Sequence, residues 1–291
     1  MNPLNQPRGP SGKEMTNAFT LLELLVVISV ITLLAAMLMP SLAKAKFSSL
    51  VSACASNYKQ WGYACNVYAA GNQQGCYPSF ALGSQPGENV ADLASSFITN
   101  MNPYGMTVPM YFCPARLAAT NVFGADDAWF YNNLPGHRHI QNTGQLSQFY
   151  LKRNPYGNYI MLDCLVFWVP RTTSGGAGGG RWWPYTADYP TNNGGYNEQY
   201  NPIDISNGGW PLKTSDLAAP KQPVVSDLCV AYGNYQTNAP NARLDPTTGH
   251  PFNGKVASVN IGFADGHAET RPLTVMDWHM VGNNYAETWY Y

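Results

Sequence analysis

The sequence predicts an α+β protein: one long N-terminal helix, membrane-spanning in its first half and amphipathic in its second, packed on an antiparallel β-sheet head. Three observations carry this reading. From Phe19 to Met39 the chain runs 21 residues with Glu23 as the single charge. From Phe47 to Tyr68 apolar residues recur at helical spacing. From Ala257 to Phe263 apolar and small polar residues alternate, and Asp265-Gly266 follows.

The first segment is a membrane-length helix. At about 1.5 Å per residue it spans about 31 Å, enough to cross the hydrocarbon core. An ionisable residue kept inside lipid is costly and marks a partner or a job. Arg8 and Lys13 could form the basic region of a signal peptide, with Ser41-Leu42-Ala43 before a cut. The apolar run is too long for that and Glu23 interrupts it. A plain anchor explains the length but leaves Glu23 unexplained. Flanking charge decides little about orientation, because Arg8, Lys13 and Glu14 face Lys44 and Lys46 across the span.

A third reading rests on the run Phe19-Thr20-Leu21-Leu22-Glu23-Leu24-Leu25-Val26-Val27-Ile28. It resembles the processing segment of type IV pilins and type II secretion pseudopilins. The resemblance implies cleavage by a prepilin peptidase between Ala18 and Phe19, then N-methylation of Phe19. Glycine is usual before that cut, and this chain has Ala18. The resemblance also makes Glu23 an assembly residue, pairing with the new amine of a neighbouring subunit, and Pro40 a helix-kinking proline. Removing one partner of such a buried pair strands a charge at roughly 3–5 kcal/mol. The alternative is a Glu23 solvated at the headgroup boundary.

Residues 41–71 continue the helix. Phe47, Val51, Cys54, Tyr58, Trp61, Cys65 and Tyr68 alternate spacings of four and three, the apolar stripe of an amphipathic helix. Ser48, Ser52, Ser56, Lys59, Gln60 and Asn66 form the polar side, and Gly71-Asn72 is the stop. The segment Cys54-Ala55-Ser56-Asn57-Tyr58-Lys59-Gln60-Trp61-Gly62, with Tyr77-Pro78 beyond, resembles a planctomycete- and verrucomicrobial-like pseudopilin subgroup that ends in an aspartate-glycine hairpin. Asn260 to Glu269 supply that ending here. The subgroup's partner histidine lies about ten residues before the aspartate, whereas His250, the nearest candidate, lies fifteen before Asp265.

The head, residues 72–291, reads as strands joined by long loops. Val108–Cys113, Asn158–Val169 and Pro223–Ala231 are rich in β-branched and aromatic residues. In the stretch from Ala257 to Phe263, Ala257, Val259, Ile261 and Phe263 are expected to face the core, and Ser258, Asn260 and Gly262 the other side. Asp265-Gly266 makes the turn and His267 to Leu273 the return strand. Between strands lies an insertion, residues 171–210, with a glycine run, Trp182-Trp183 and Gly208-Gly209-Trp210. Its aromatics are expected to pack as an ordered loop; exposed, they would favour glycan or subunit binding.

Charged residues make up only 11% of the 291, against roughly 25% in average globular proteins. Residues 1–70 carry five basic and two acidic groups, and residues 71–291 eleven basic and fifteen acidic. An acidic head argues against nucleic-acid binding through a basic patch. The cysteines at 54, 65, 76, 113, 164 and 229 permit disulfides. Cys54 and Cys65 are about 16 Å apart along one helix and cannot pair. Cys76 with Cys113 is the expected bridge, and Cys54, Cys65, Cys164 and Cys229 are expected as buried thiols. With no C-x-x-C pair, a structural zinc site is not expected.

Catalysis finds little support. His137, His139, Asp126, Asp127, Asp227, His250, Asp265 and His267 are ligand-type residues without the spacing of a recognised catalytic motif. Some pseudopilins hold calcium in a C-terminal loop, and Asp265 is the candidate calcium ligand; otherwise no metal or cofactor is expected. The expected function is that of a non-enzymatic pilus or pseudopilus subunit, with residues 1–18 as leader. Its expected partners are prepilin peptidase, other pilin subunits and the inner membrane, the head lying outside. The alternative is a membrane-tethered carbohydrate- or ligand-binding module using the Trp/Tyr-rich loops.

Overall fold

The structure is a computed structural model that describes residues 20–73, 75, 77–78, 92–94, 96–116, 140–153, 159–161, 164–166, 199–200, 214–215, 220, 223–232, 244–276, 278–281 and 287–290. It has two compact units, Met1–Lys46 and Phe47–Tyr291. Helix α1 (Leu21–Gly71) belongs to both and runs unbroken through Pro40. It ends at the Gly71-Asn72 stop read from the sequence.

In the first unit α1 is an exposed apolar helix. Leu21, Leu22, Val26, Ile31, Leu34, Met37 and Leu42 all leave half or more of their surface uncovered. Its few hydroxyls are satisfied within the helix: Ser29 donates to the Leu25 carbonyl at 2.7 Å, Thr32 to Ser29 at 2.9 Å and Ser41 to Leu38 at 2.8 Å. A helix that pairs these hydroxyls with its own carbonyls suits a lipid environment. This is the one helix among the described residues long and apolar enough to cross a membrane.

In the second unit the same helix becomes part of a core. Val51, Cys54, Tyr58, Trp61 and Cys65 are buried, while Ser48, Ser52, Ser56, Lys59 and Gln60 stay exposed. The stripe packs on the strand β8 (Lys255–Phe263), the centre of an antiparallel sheet. β5 (Pro223–Asp227) and β7 (His250–Phe252) share one edge of β8, one after the other, and β9 (Ala268–Pro272) takes the other edge. β3 (Cys164–Val166) extends the sheet beyond β5. A second antiparallel sheet orders β4 (Gln199–Tyr200), β10 (Trp278–Val281), β11 (Glu287–Tyr290) and β6 (Val230–Tyr232). A small third pairing joins β1 (Asp92–Ala94) to β2 (Tyr159–Met161). Helices α2 (Phe97–Met101) and α3 (Thr143–Arg153) contribute to the same core as Trp61, which is fully buried.

The helix and sheet approach closely because glycines face each other. A Cβ at Gly62 would lie 2.7 Å from Gly266 Cα, and one at Gly262 would lie 2.8 Å from Val225 Cγ1 and 3.1 Å from Tyr58 Cβ. Gly266 closes the β8–β9 hairpin in the left-handed region, at φ 93°. Phe263 N donates to the His267 carbonyl at 2.9 Å, and Gly266 N to the Phe263 carbonyl at 3.0 Å. This is a three-residue loop, in which only glycine takes that conformation without strain. The Asp265-Gly266 turn and its return strand are therefore as read from the sequence.

Three expectations are corrected. Val108–Tyr111 is a 3-10 turn, not a strand; Pro109 cannot donate to a ladder and suits the start of a helical turn. The Asn158–Val169 stretch is two short strands in different sheets, and Pro223–Ala231 also splits into β5 and β6. The alternation in β8 buries both faces: Ser258, Asn260 and Gly262 are buried, and Asn260 and Gly262 contact the α1 side. Small and polar residues there reflect the closeness of the helix and a buried polar site, not solvent.

Candidate functional site

Where β5 ends and β7 begins along the same edge of β8, the ladder leaves the Asn260 N–H without a strand partner. Asp227, the last residue of β5, supplies one: its Oδ2 accepts from Asn260 N at 2.6 Å. Its Oδ1 accepts from the Tyr58 hydroxyl at 2.7 Å and from the Cys54 thiol at 3.3 Å, both on α1. His250, the first residue of β7, sits beside it with Nε2 2.7 Å from Oδ2. The other ring nitrogen, Nδ1, lies 2.9 Å from Ser258 Oγ.

Cys113 arrives from the segment after the 108–111 turn, which α1 holds by side-chain donors. Asn57 Nδ2 bonds the Pro109 and Phe112 carbonyls at 3.2 and 3.3 Å, and Trp61 Nε1 bonds the Met110 carbonyl at 2.8 Å. Ligand-type atoms of Cys54, Cys113, Asp227 and His250 thus lie within 4.8 Å of one another. All four residues are buried, His250 at 0% exposure and Cys113 at 6%.

The electrostatics are those of charges withdrawn from water and held by one another. Burial pushes the Asp227 carboxyl up, but the charge and close contact of His250 and the hydrogen bonds of Asn260 and Tyr58 outweigh it and hold the carboxyl below its ordinary range. Burial alone would lower His250, yet the Asp227 charge and contact raise it to about 10. Burial also pushes the Cys113 thiol up, but contacts with Cys54 and His250 bring it down to about 7. Cys54 moves the opposite way, raised by burial and by its Cys113 and Asp227 neighbours. Despite the 2.7 Å separation from Asp227, His250 Nε2 has no hydrogen bond of acceptable angle. Two sulfurs, one imidazole and one carboxylate could together hold a metal ion.

Neither Cys54 nor Cys113 forms a disulfide, so the expected Cys76–Cys113 bridge is not made. Cys113 instead belongs to a buried cluster with Cys54. Burial of Cys54, Cys65 and Cys229 as free thiols is as expected.

The other residues singled out in the sequence fall elsewhere. Ala18 and Phe19 lie outside the described residues, as do Cys76, Asp126, Asp127, His137, His139 and, apart from β4, the 171–210 insertion. Glu23 stands exposed in the first turn of α1, where its Oε2 accepts from Thr20 N and Thr20 Oγ1, each at 2.9 Å. Thr20 Oγ1 in turn accepts from Glu23 N at 3.2 Å, which completes a capping box at the helix start. Asp265 lies exposed in the hairpin loop, its Oδ1 accepting from His267 N at 3.0 Å. The His267 ring stacks on Phe263 with centroids 4.1 Å apart. The metal-type grouping among the described residues is the buried one and does not include Asp265.

Fold and site together define an α+β chain with a membrane-capable N-terminal helix and an antiparallel sheet head around a buried polar cluster. Comparison with family models, with characterised proteins and with solved structures finds no match to the chain.

Proposed function

We propose that the chain is a pilin-like structural subunit of a type IV pilus or type II secretion pseudopilus, with a mechanical and not an enzymatic role. Prepilin peptidase cuts between Ala18 and Phe19, and the mature subunit waits in the inner membrane with its head outside. Assembly then transfers α1 from lipid into a bundle of identical or related helices. The observation that carries this is the two-sided character of one 51-residue helix. Its first half leaves Leu, Val and Ile uncovered on all sides, while its second half supplies the core of the head. A helix apolar all round needs lipid or other helices around it.

Glu23 supports the same reading. Its carboxylate is exposed in the first turn and engages only its own Thr20 among the described contacts, so a neighbouring N-terminal amine can compete for it. In a low-dielectric bundle such a contact sets the register between subunits. The test is to express the chain with a pilus or pseudopilus assembly platform and collect sheared surface filaments. Wild type enters the filament fraction and Glu23→Ala stays in the membrane fraction although it is cleaved. A wild-type chain that never leaves the membrane with a working platform would overturn the proposal.

A further inference from the structure

The geometry points to a zinc site in the head, built from Cys54, Cys113, Asp227 and His250, which clasps the stalk helix to the sheet. This inference stands on the head alone and does not depend on the filament reading. Four ligand-type atoms from α1, the 108–113 segment, β5 and β7 lie within 4.8 Å of one another. Tetrahedral zinc, with bonds of about 2.0 Å to nitrogen and oxygen and about 2.3 Å to sulfur, separates its ligands by about 3.3–3.8 Å. The cluster is at most about 1 Å wider than such a shell, so small side-chain shifts bring the four atoms onto one ion. Two sulfurs with one imidazole and one carboxylate form a ligand set that favours zinc over calcium or magnesium, which take oxygen.

Two further observations point to a ligand. His250 Nε2 is fully buried, faces the cluster and lacks a hydrogen bond of acceptable angle. Its Nδ1 faces Ser258 Oγ at 2.9 Å, the outer partner that fixes a metal-binding imidazole. Asp227 is likewise oriented from outside, by Tyr58 at 2.7 Å and Asn260 N at 2.6 Å. A disulfide between Cys54 and Cys113 would use neither the histidine nor the aspartate. Zinc uses all four: both thiols give up their protons, the imidazole binds as the neutral base, and the carboxylate binds as the anion. The donors Tyr58 and Asn260 then offset the remaining negative charge. Because Cys54 lies on the helix and the other ligands on the head, the ion crosslinks segments far apart in the sequence.

The test uses the full chain extracted in detergent under reducing conditions. Elemental analysis should find about one zinc per chain. Exchange with Co2+ should give thiolate-to-cobalt charge transfer and the intense visible bands of a tetrahedral site. Cys113→Ser and His250→Gln should lose the metal, Cys65→Ser should keep it, and Ser258→Ala should bind it about 10- to 100-fold more weakly. Should the ligand variants fail to fold, the wild-type cobalt spectrum and Ser258→Ala decide. A reduced wild-type chain that takes up neither zinc nor cobalt overturns the proposal. So does a Cys54–Cys113 disulfide in the peptide map of the chain as isolated, or zinc retained in folded Cys113→Ser.

Discussion

Gly62 sits inside a long helix, where propensity alone says that alanine is better by about 1 kcal/mol. The structure predicts the opposite sign. The new Cβ would stand 2.7 Å from Gly266 Cα and 3.3 Å from the Phe263 carbonyl oxygen. Both are backbone atoms of a hairpin fixed by the Phe263–His267 and Gly266–Phe263 hydrogen bonds. No side-chain rotation can relieve the contact, so helix and sheet must separate. Asn66 resists that movement, because its Nδ2 bridges the Gly62 and Ala264 carbonyls at 2.8 Å each. Overpacking costs about 1–3 kcal/mol, and a 2.7 Å contact to backbone that cannot turn aside belongs in the upper part of that range, about 2–3 kcal/mol, which exceeds the propensity gain. The net loss is about 1–2 kcal/mol, a fall of about 5- to 30-fold in the folding constant. Urea unfolding of the detergent-solubilised chain, followed by near-ultraviolet circular dichroism of the aromatic-rich head, reads it. Gly71→Ala is the control, since nothing lies within 4 Å of a Cβ there, and it should be neutral or stabilising. Gly62→Ala as stable as wild type would refute the close helix–sheet contact.

Other expectations follow from single contacts. Asp227→Ala leaves the Tyr58 hydroxyl and the Asn260 N–H without their acceptor and His250 without its buried counter-charge, and should cost about 3–5 kcal/mol by the same urea assay. Asn66→Ala removes one side chain that bonds two carbonyls, with an expected loss of about 1–2 kcal/mol and no change in membrane extraction. Thr20→Val breaks the capping box and should lower helix stability by about 0.5–2 kcal/mol, read by amide exchange in the first turn. In the native reduced chain Cys54, Cys65, Cys113 and Cys229 should resist alkylation and label together on unfolding, as peptide mass spectrometry would show. Labelling of Cys65 before unfolding would contradict its burial.

The parts legible in the sequence are those in which local pattern and global fold agree. Phe47 to Tyr68 declare a buried stripe because the helical period and the packing face coincide. Asp265-Gly266 declares a hairpin because glycine there meets a backbone requirement. Pro109 carried a warning that the β-rich look of its neighbours obscured: without an N–H, it fits a helical turn better than a ladder. In β8, Ser258 and Asn260 fall on the side opposite the apolar residues, because alternation reports only two sides, not what covers each. The buried cluster was hidden for a different reason. Cys54 and Asp227 stand 173 residues apart in sequence, and a spacing rule built on local pairs has no access to a site assembled by topology. Asn260 offered one clue, a polar residue in the middle of an apolar strand, but not the identity of its partners.

The central claim, that this helix is a filament-forming stalk released by prepilin processing, meets its most direct test in the mature N-terminus. The full chain is coexpressed with a prepilin peptidase, extracted from membranes, and its N-terminal peptide measured by mass spectrometry. The account predicts a peptide that begins at Phe19 and carries one added methyl group. A chain that retains residues 1–18 beside an active peptidase, or one cut after Ala43 or Ala45, would contradict it.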